Sequence, residues 1–364
     1  MKLSSADLNV LSTLAKDPLG TVKDLSRRAD MSPNTFSKHL RRLMDRGILV
    51  SVSAEICYPS VGLEPILFFF KAPFRSLYDL ERILDLHPYT RYRIRCIGSC
   101  NGIYALFAIP SGANAYLLEL IEALKEMDLI TDYFYDTPIA RWIYSENNFE
   151  YYDLECDCWR FDWKEWESML DEISEPPPLN KNPPSIRHRM NRKDMEILRY
   201  LSINAREKRR VIAEKTGVPV YHLCRRLSFF EENDVIDAYR IIVHGIASKL
   251  LVMVMFDCEC SLSTTRLFAY AIRKLPFQST LIPTRRGFFL QTSIPSQDLA
   301  KLGASLQKRC SDVRVFWGDY ESSMRYWFYH EPYAEEGWIA TRRYIVSDVL
   351  ERFRAERRED DADE

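Results

Sequence analysis

The amino-acid sequence repeats itself once. Asp7-Leu-Asn-Val-Leu11 returns as Asp194-Met-Glu-Ile-Leu198, Leu40-Arg-Arg-Leu43 as Cys224-Arg-Arg-Leu227, and Gly102-Ile-Tyr-Ala-Leu-Phe-Ala-Ile-Pro-Ser111 as Gly287-Phe-Phe-Leu-Gln-Thr-Ser-Ile-Pro-Ser296. Ala140-Arg-Trp142 falls opposite Tyr326-Trp327. The pairs keep their order and nearly their offsets. A chain of 364 residues, too long for one ordinary core of about 100–200, therefore reads as two copies of one unit. Between them, Glu175-Pro-Pro-Pro-Leu-Asn-Lys-Asn-Pro-Pro-Ser185 has prolines that deny helix and ladder hydrogen bonds, which predicts an extended spacer.

Each copy opens with three short helical patterns. In the first, Ser5 can cap a helix whose Leu8, Leu11 and Leu14 share a face, and Thr21 can cap a second over 22–29, with Leu25 and Ala29 inward. Ser32 caps a third, with Pro33 at the first helical position, a buried stripe of Phe36, Leu40 and Leu43, and Gly47 as a left-handed stop. From Ile48 to Ile56 the apolar period changes to two, which predicts a β-hairpin wing. Both copies then spell β-α-β-β-α-β. The first has strands over 65–71, 89–97, 102–109 and 129–135 and helices over 77–86 and 115–127; the second has strands over 250–256, 279–284, 287–294 and 313–317 and helices over 264–274 and 299–309.

Such split βαβ units make a four-stranded antiparallel sheet with both helices on one face. The bare face needs cover, and the partner copy can supply it. The expected class is α+β: two tandem units, each a winged helix-turn-helix followed by a ferredoxin-like domain. The expected boundaries are 1–58 and 59–173, a spacer over 174–189, then 190–240 and 241–345, with a charged tail over 346–364.

Charge is distributed to match. The whole chain carries a formal net charge of -2, yet residues 1–50 hold nine Lys/Arg against five Asp/Glu, and residues 187–236 hold twelve against seven. Locally basic segments within an acidic protein are what attraction to phosphate requires. In a helix-turn-helix the third helix enters the DNA major groove. Opposite the apolar stripe of 32–46 stand Asn34, Thr35, Ser37, Lys38, Arg41 and Arg42. Asn34, Thr35 and Lys38 suit base edges, Arg41 and Arg42 the backbone or guanine, and Arg27 and Arg28 a phosphate grip from the second helix. In the second copy, 219–231 presents Tyr221, His222, Arg225 and Arg226, with Arg206, Lys208, Arg209 and Arg210 leading in. The competing reading is a solvated charged helix face. The balancing acid lies between Glu150 and Glu175, ten carboxylates against two basic residues, and in the tail from Glu359.

Ser32-Pro-Asn-Thr-Phe-Ser-Lys-His-Leu-Arg-Arg-Leu-Met-Asp-Arg-Gly-Ile48, followed by the wing, Tyr58-Pro-Ser-Val-Gly-Leu63 and a βαββαβ module, resembles the Lrp/AsnC family of feast/famine regulators. The likeness spans about 4–136 and, more loosely, 190–317. It implies a sequence-specific regulator of double-stranded DNA whose second domain dimerises and often binds an effector such as an amino acid. The sequence departs from that pattern in its fusion and in aromatic extensions over 142–166 and 327–338. Thr284-Arg-Arg-Gly287 also stands where a glycine-rich effector loop is expected. Fusion suggests an internal pseudo-dimer, able to pair again, whose unlike third helices suit an asymmetric site.

Nothing points firmly to catalysis, a cofactor or a metal. Glu155-Cys-Asp-Cys158 and Asp257-Cys-Glu-Cys260 lack the usual zinc-knuckle spacing, and Cys96 and Cys100 complete no ligand set. Nine scattered cysteines suggest free thiols in a reducing, cytoplasmic setting, and apolar runs of strand length suggest a soluble chain without a membrane span. The aromatic extensions, with Trp159, Trp163 and Trp166, read as core or interface. Two other readings compete: an enzyme resembling sirohaem decarboxylases, which share the two-module plan, and an interaction scaffold that no longer binds DNA.

Overall fold

The computed structural model describes residues 3–156, 158–243 and 251–363, the last four by backbone alone. The first copy opens with α1 (Ser5–Lys16), α2 (Val22–Arg28) and α3 (Pro33–Asp45). Ser4, one residue earlier than expected, caps α1: its side chain accepts from the Asp7 amide at 3.2 Å while the Asp7 carboxylate accepts from the Ser4 amide at 3.0 Å. Thr21 and Ser32 cap α2 and α3 as read, and Gly47 takes a φ of 64°. Phe36 and Leu43 are fully buried, whereas Leu40 is half-buried.

The expected hairpin wing is instead one strand, β1 (Leu49–Ile56). The run contains no turn dipeptide that could fold it back. Its partner comes from the other copy, as shown below, and its burial breaks strict alternation: Val50 is exposed, while Ser53 is buried and donates to the Ser202 carbonyl at 2.6 Å. The chain continues through β2 (Leu63–Lys71), α4 (Leu77–Leu86), β3 (Thr90–Gly98), β4 (Gly102–Pro110), α5 (Asn114–Glu126) and β5 (Asp132–Asp136). A short β6 (Ile143–Ser145), the paired β7 (Tyr152–Asp153) and β8 (Cys158–Trp159), and α6 (Trp163–Glu172) make up the aromatic extension.

The second copy follows with α7 (Arg192–Asn204), α8 (Arg209–Thr216), α9 (Val220–Glu232), β9 (Ile236–Val243), β10 (Leu251–Glu259), α10 (Leu262–Ala271), β11 (Ser279–Pro283), β12 (Gly287–Pro295), α11 (Ser296–Arg309) and β13 (Asp312–Gly318). Its extension holds β14 (Met324–Arg325), the paired β15 (Tyr333–Ala334) and β16 (Gly337–Trp338), and α12 (Asp348–Asp363). The expected start of β10 at Leu250 lies outside the described residues.

Strands β1 and β9 pair antiparallel, with Val52 opposite Ile241 and Ala54 opposite Tyr239, so each winged helix satisfies the edge of the other. The two βαββαβ sheets join edge to edge in the order β5-β2-β4-β3-β13-β10-β12-β11-β6, with β14 also on β3. Their bare faces pack together: Phe69 lies 4.8 Å from Phe316 and 5.6 Å from Phe289, and Tyr104 lies 4.9 Å from Phe289, ring centre to ring centre. Burying about 150–250 Å² per aromatic ring makes this seam a principal source of cohesion.

The extensions cross over reciprocally. First-copy β6 adds to second-copy β11, and second-copy β14 adds to first-copy β3, the equivalent strand. Helix α6 covers the second sheet's helices, where Trp163 donates to Asp298 at 2.9 Å and Trp166 to the Ala271 carbonyl at 3.2 Å. Helix α12 covers the first, placing Phe353 in a core with Leu80, Ile83 and Leu120. The spacer has no regular structure but is tied down, since the Asn180 carbonyl accepts from the Arg141 amide at 3.0 Å.

Candidate nucleic-acid interface and inter-sheet cavity

Helix α3 turns Phe36 and Leu43 inward and sets Asn34, Thr35, Lys38, Arg41 and Arg42 outward, all exposed; Ser37 is half-buried. Among the described residues, Asn34, Lys38 and Arg41 have no hydrogen-bond or ion-pair partner, so nothing in the fold draws these side chains back from solvent. Thr35 is shared with its cap, its hydroxyl 2.8 Å from that of Ser32. The orientation of α3 is fixed by Asp7. Its carboxylate accepts from His39 Nδ1 at 2.8 Å and lies 3.8 Å from Arg42. Burial raises the Asp7 pKa, but the bonds from His39 and Ser4 and the Arg42 charge outweigh it, leaving it below the usual carboxylate value. From α2, Arg27 reaches Asp24 at 3.6 Å and Arg28 reaches Asp17 at 2.9 Å, and both remain exposed.

The second copy differs at matched positions. On α9, Tyr221 is 70% exposed, its ring met edge-on by His222 at 5.5 Å and lying under Arg225 at 6.0 Å. Arg226 is drawn inward: its guanidinium grips Asp194 through Nε at 2.6 Å and Nη2 at 2.9 Å and lies 4.0 Å from the Phe229 ring centre. Arg206 donates to the carbonyls of Pro18 and Gly20 at 2.7 and 2.9 Å, binding the two winged helices to each other. Arg226, read from the sequence as facing DNA, and Arg206, read as leading in to that face, hold the fold instead. Arg209 and Arg210 stay exposed, Arg209 reaching Cys224 at 3.4 Å.

Beneath the winged helices, where β1, β9 and the two sheets meet, lies a cavity of about 250 Å³. Tyr58, Tyr92, Trp142 and Tyr144 line it with Gln278, Gln291 and three arginines, Arg91, Arg240 and Arg325. Burial pushes the Tyr92 phenol up to about 12 and raises Tyr144 well above its ordinary value.

A family model described as winged helix-turn-helix DNA-binding matches residues 3–50. An uncharacterized HTH-type transcriptional regulator of Pyrococcus horikoshii is 22% identical over 115 residues, 31% of this chain and 75% of that protein. The HTH-type transcriptional regulator LrpC of Bacillus subtilis is 30% identical over 82 residues, 22% of this chain and 56% of LrpC. Over part of its length the chain is thus similar in sequence to HTH-type regulators of the LrpC kind.

The fold of the chain as a whole is similar to that of the siroheme decarboxylase NirDL. The TM-score is 0.53 at 14% identity, covering 96% of this chain and all of the other. Sequence reasoning missed the cavity because its walls come from both copies and from β14, and no local spacing marks it. The sequence signal that was present is Arg91-Tyr-Arg-Ile-Arg95, three arginines at alternate positions of one strand. Sequence reasoning also missed one covalent bond: Cys156 and Cys158 are joined in a disulfide, where free thiols were expected. The remaining cysteines, Cys96 and Cys100 among them, are free. Among the described residues no group of three or more His, Cys, Asp or Glu is placed to hold a metal, and no helix is long and apolar enough to cross a membrane.

Proposed function

We propose that the chain is a tandem transcriptional regulator of the Lrp/AsnC type that binds double-stranded DNA through α3 and, more weakly, α9. The observation that carries this reading is the outer face of α3, where Asn34, Lys38 and Arg41 are exposed and uncommitted beside a half-free Arg42, on a helix locked to its domain through Asp7. Lys38, Arg41 and Arg42 meet phosphates or guanine, and Asn34 meets a base edge. Arg27, Arg28, Arg209 and Arg210 add phosphate contacts, while Tyr221, His222 and Arg225 form the reading face of α9. Arg226 positions α9 through Asp194 rather than touching DNA. On this reading the chain is no enzyme, and its two copies act as an internal pseudo-dimer on an asymmetric site, open to control by a small effector.

The test is fluorescence anisotropy with DNA from the chain's own upstream region and with scrambled DNA, across a salt series. Affinity should favour the upstream DNA and fall with salt. In Arg41→Ala/Arg42→Ala the affinity should collapse and the log–log salt slope should shrink by about 2. Equal affinity for both DNAs, or no binding at low salt, would remove the regulator reading.

A second reading, an enzyme like the siroheme decarboxylases, draws on the arginine-lined cavity, which suits carboxylated substrates. Against it, no histidine stands among the described wall residues, and about 250 Å³ lies below the roughly 300–1,000 Å³ of pockets for drug-sized ligands. Carbon dioxide released from sirohaem by the purified chain would establish it.

A further inference from the structure

The cavity wall carries a buried guanidinium that no carboxylate bonds; Glu331 acts on it only from a distance. Arg91 sits at a bulge of β3, between Thr90 and Tyr92, where the strand register shifts and a side chain is re-aimed. It is 2% exposed. Its Nη1 has one acceptor, the Pro88 carbonyl, at the long distance of 3.5 Å, and its Nε and Nη2 have none. Phe328 and Tyr329 flank the guanidinium at 5.8 and 5.5 Å from their ring centres, which orients it without neutralising it.

The other wall arginines are answered. Arg240 on β9 bonds Glu146, the Thr280 hydroxyl at 3.1 Å and the Ser145 carbonyl at 3.3 Å. Arg325 on β14 bonds Glu55 at 2.7 Å and the Ser53 hydroxyl at 3.2 Å. A buried cation without a bonded counter-charge is unfavourable, so one kept beside a cavity is a natural seat for an anion.

We infer that this cavity binds a small aromatic carboxylate without an ammonium group, its carboxylate on Arg91 and its ring among Tyr58, Tyr92, Trp142 and Tyr144. The guanidinium fork matches a carboxylate, and the rings supply apolar faces for a planar body. Glu55, the carboxylate of the wall, is committed to Arg325, so an α-ammonium would be desolvated without a counter-charge. The volume suits one ring and its side chain. This goes beyond the regulator reading, because the site is complete without DNA, and its test contains none, so either can fail alone.

The experiment is isothermal titration of the full chain with phenylacetate and indole-3-acetate, against phenylacetamide and L-phenylalanine. At least one acid should bind with a Kd below about 1 mM, with the amide and the amino acid at least about tenfold weaker. Arg91→Met should weaken that acid at least about tenfold while melting no lower than the parent, because a buried unpaired charge has been removed. No heat from either acid at millimolar concentration, equal binding of acid and amide, or tighter binding of phenylalanine would overturn the assignment. So would an Arg91→Met chain that keeps full affinity. Should Arg91→Met not fold, Trp142→Ala, which removes one of the rings that would hold the acid, carries the comparison: weakened acid binding supports the site, and unchanged binding overturns it.

Discussion

Asp7 and Asp194 occupy matched places in the two copies and each does two things. As the third residue of its helix, each closes a capping box, with Ser4 or with Asn191, and each also reaches a basic residue on the third helix. One carboxylate therefore couples the start of the first helix to the angle of the third. Asp7→Ala should cost about 0.5–1 kcal/mol of stability from the broken half of the capping box alone. It should also weaken DNA binding although Asp7 faces inward; urea titration and anisotropy on the same sample would show both, and unaltered affinity would mean α3 needs no such anchor. A different residue sets an acid limit. His87 is buried with Nε2 unpartnered, its Nδ1 accepting from the Tyr89 amide at 3.3 Å, and burial, aided by the nearby Arg91 charge, depresses its pKa to about 3. The folded chain holds it neutral while the unfolded chain takes up a proton below about 6.5. Stability should therefore fall as pH drops from about 6.5 towards 3, by up to about 1.4 kcal/mol per unit from this group. His87→Asn, which keeps an acceptor for Tyr89 and does not titrate, should flatten that part of the profile; an unchanged slope would assign it to other groups.

At the level of elements, the repeat shows most clearly in two glycines. Gly102 and Gly287 open equivalent strands, and a Cβ there would stand 1.9 Å from the Phe70 carbonyl oxygen and 2.2 Å from that of Cys258. Close backbone approach at the turn into β4 and β12 thus explains why this position reads the same in both copies. The exchanged extensions have the opposite character: each is attached to one copy and stabilises the other. Phe353 of α12 is fully buried against first-copy helices, so Phe353→Ala should cost about 3–5 kcal/mol. Hydrogen exchange should quicken first in α4 and α5, not in the second sheet to which α12 is joined in sequence. Quickening confined to α10 and α11 would contradict the crossing.

The whole molecule depends on both copies at once. The sheet faces, the β1–β9 pair, the exchanged extensions and the Arg206 contacts all run between halves, so neither half can bury its apolar surface alone. Proteolytic cleavage engineered within 176–184 should leave two fragments that co-elute and melt in one transition, whereas either fragment expressed by itself should be insoluble or molten; separate transitions would show independent domains. How much of this was legible follows from the range of each interaction. Periodicity, caps and turns act over a few residues, so the helices, the strands, the α+β class, the duplication and the exposed face of α3 could all be read from the sequence. The wing and the Arg226 contact could not, because whether β1 folds on itself and where a guanidinium finds its carboxylate depend on what arrives from elsewhere in the chain. The cavity is the extreme case. Arg91, Arg240, Arg325 and the tyrosines that share its wall are separated by up to 268 residues, and only the packing of one copy on the other makes them neighbours.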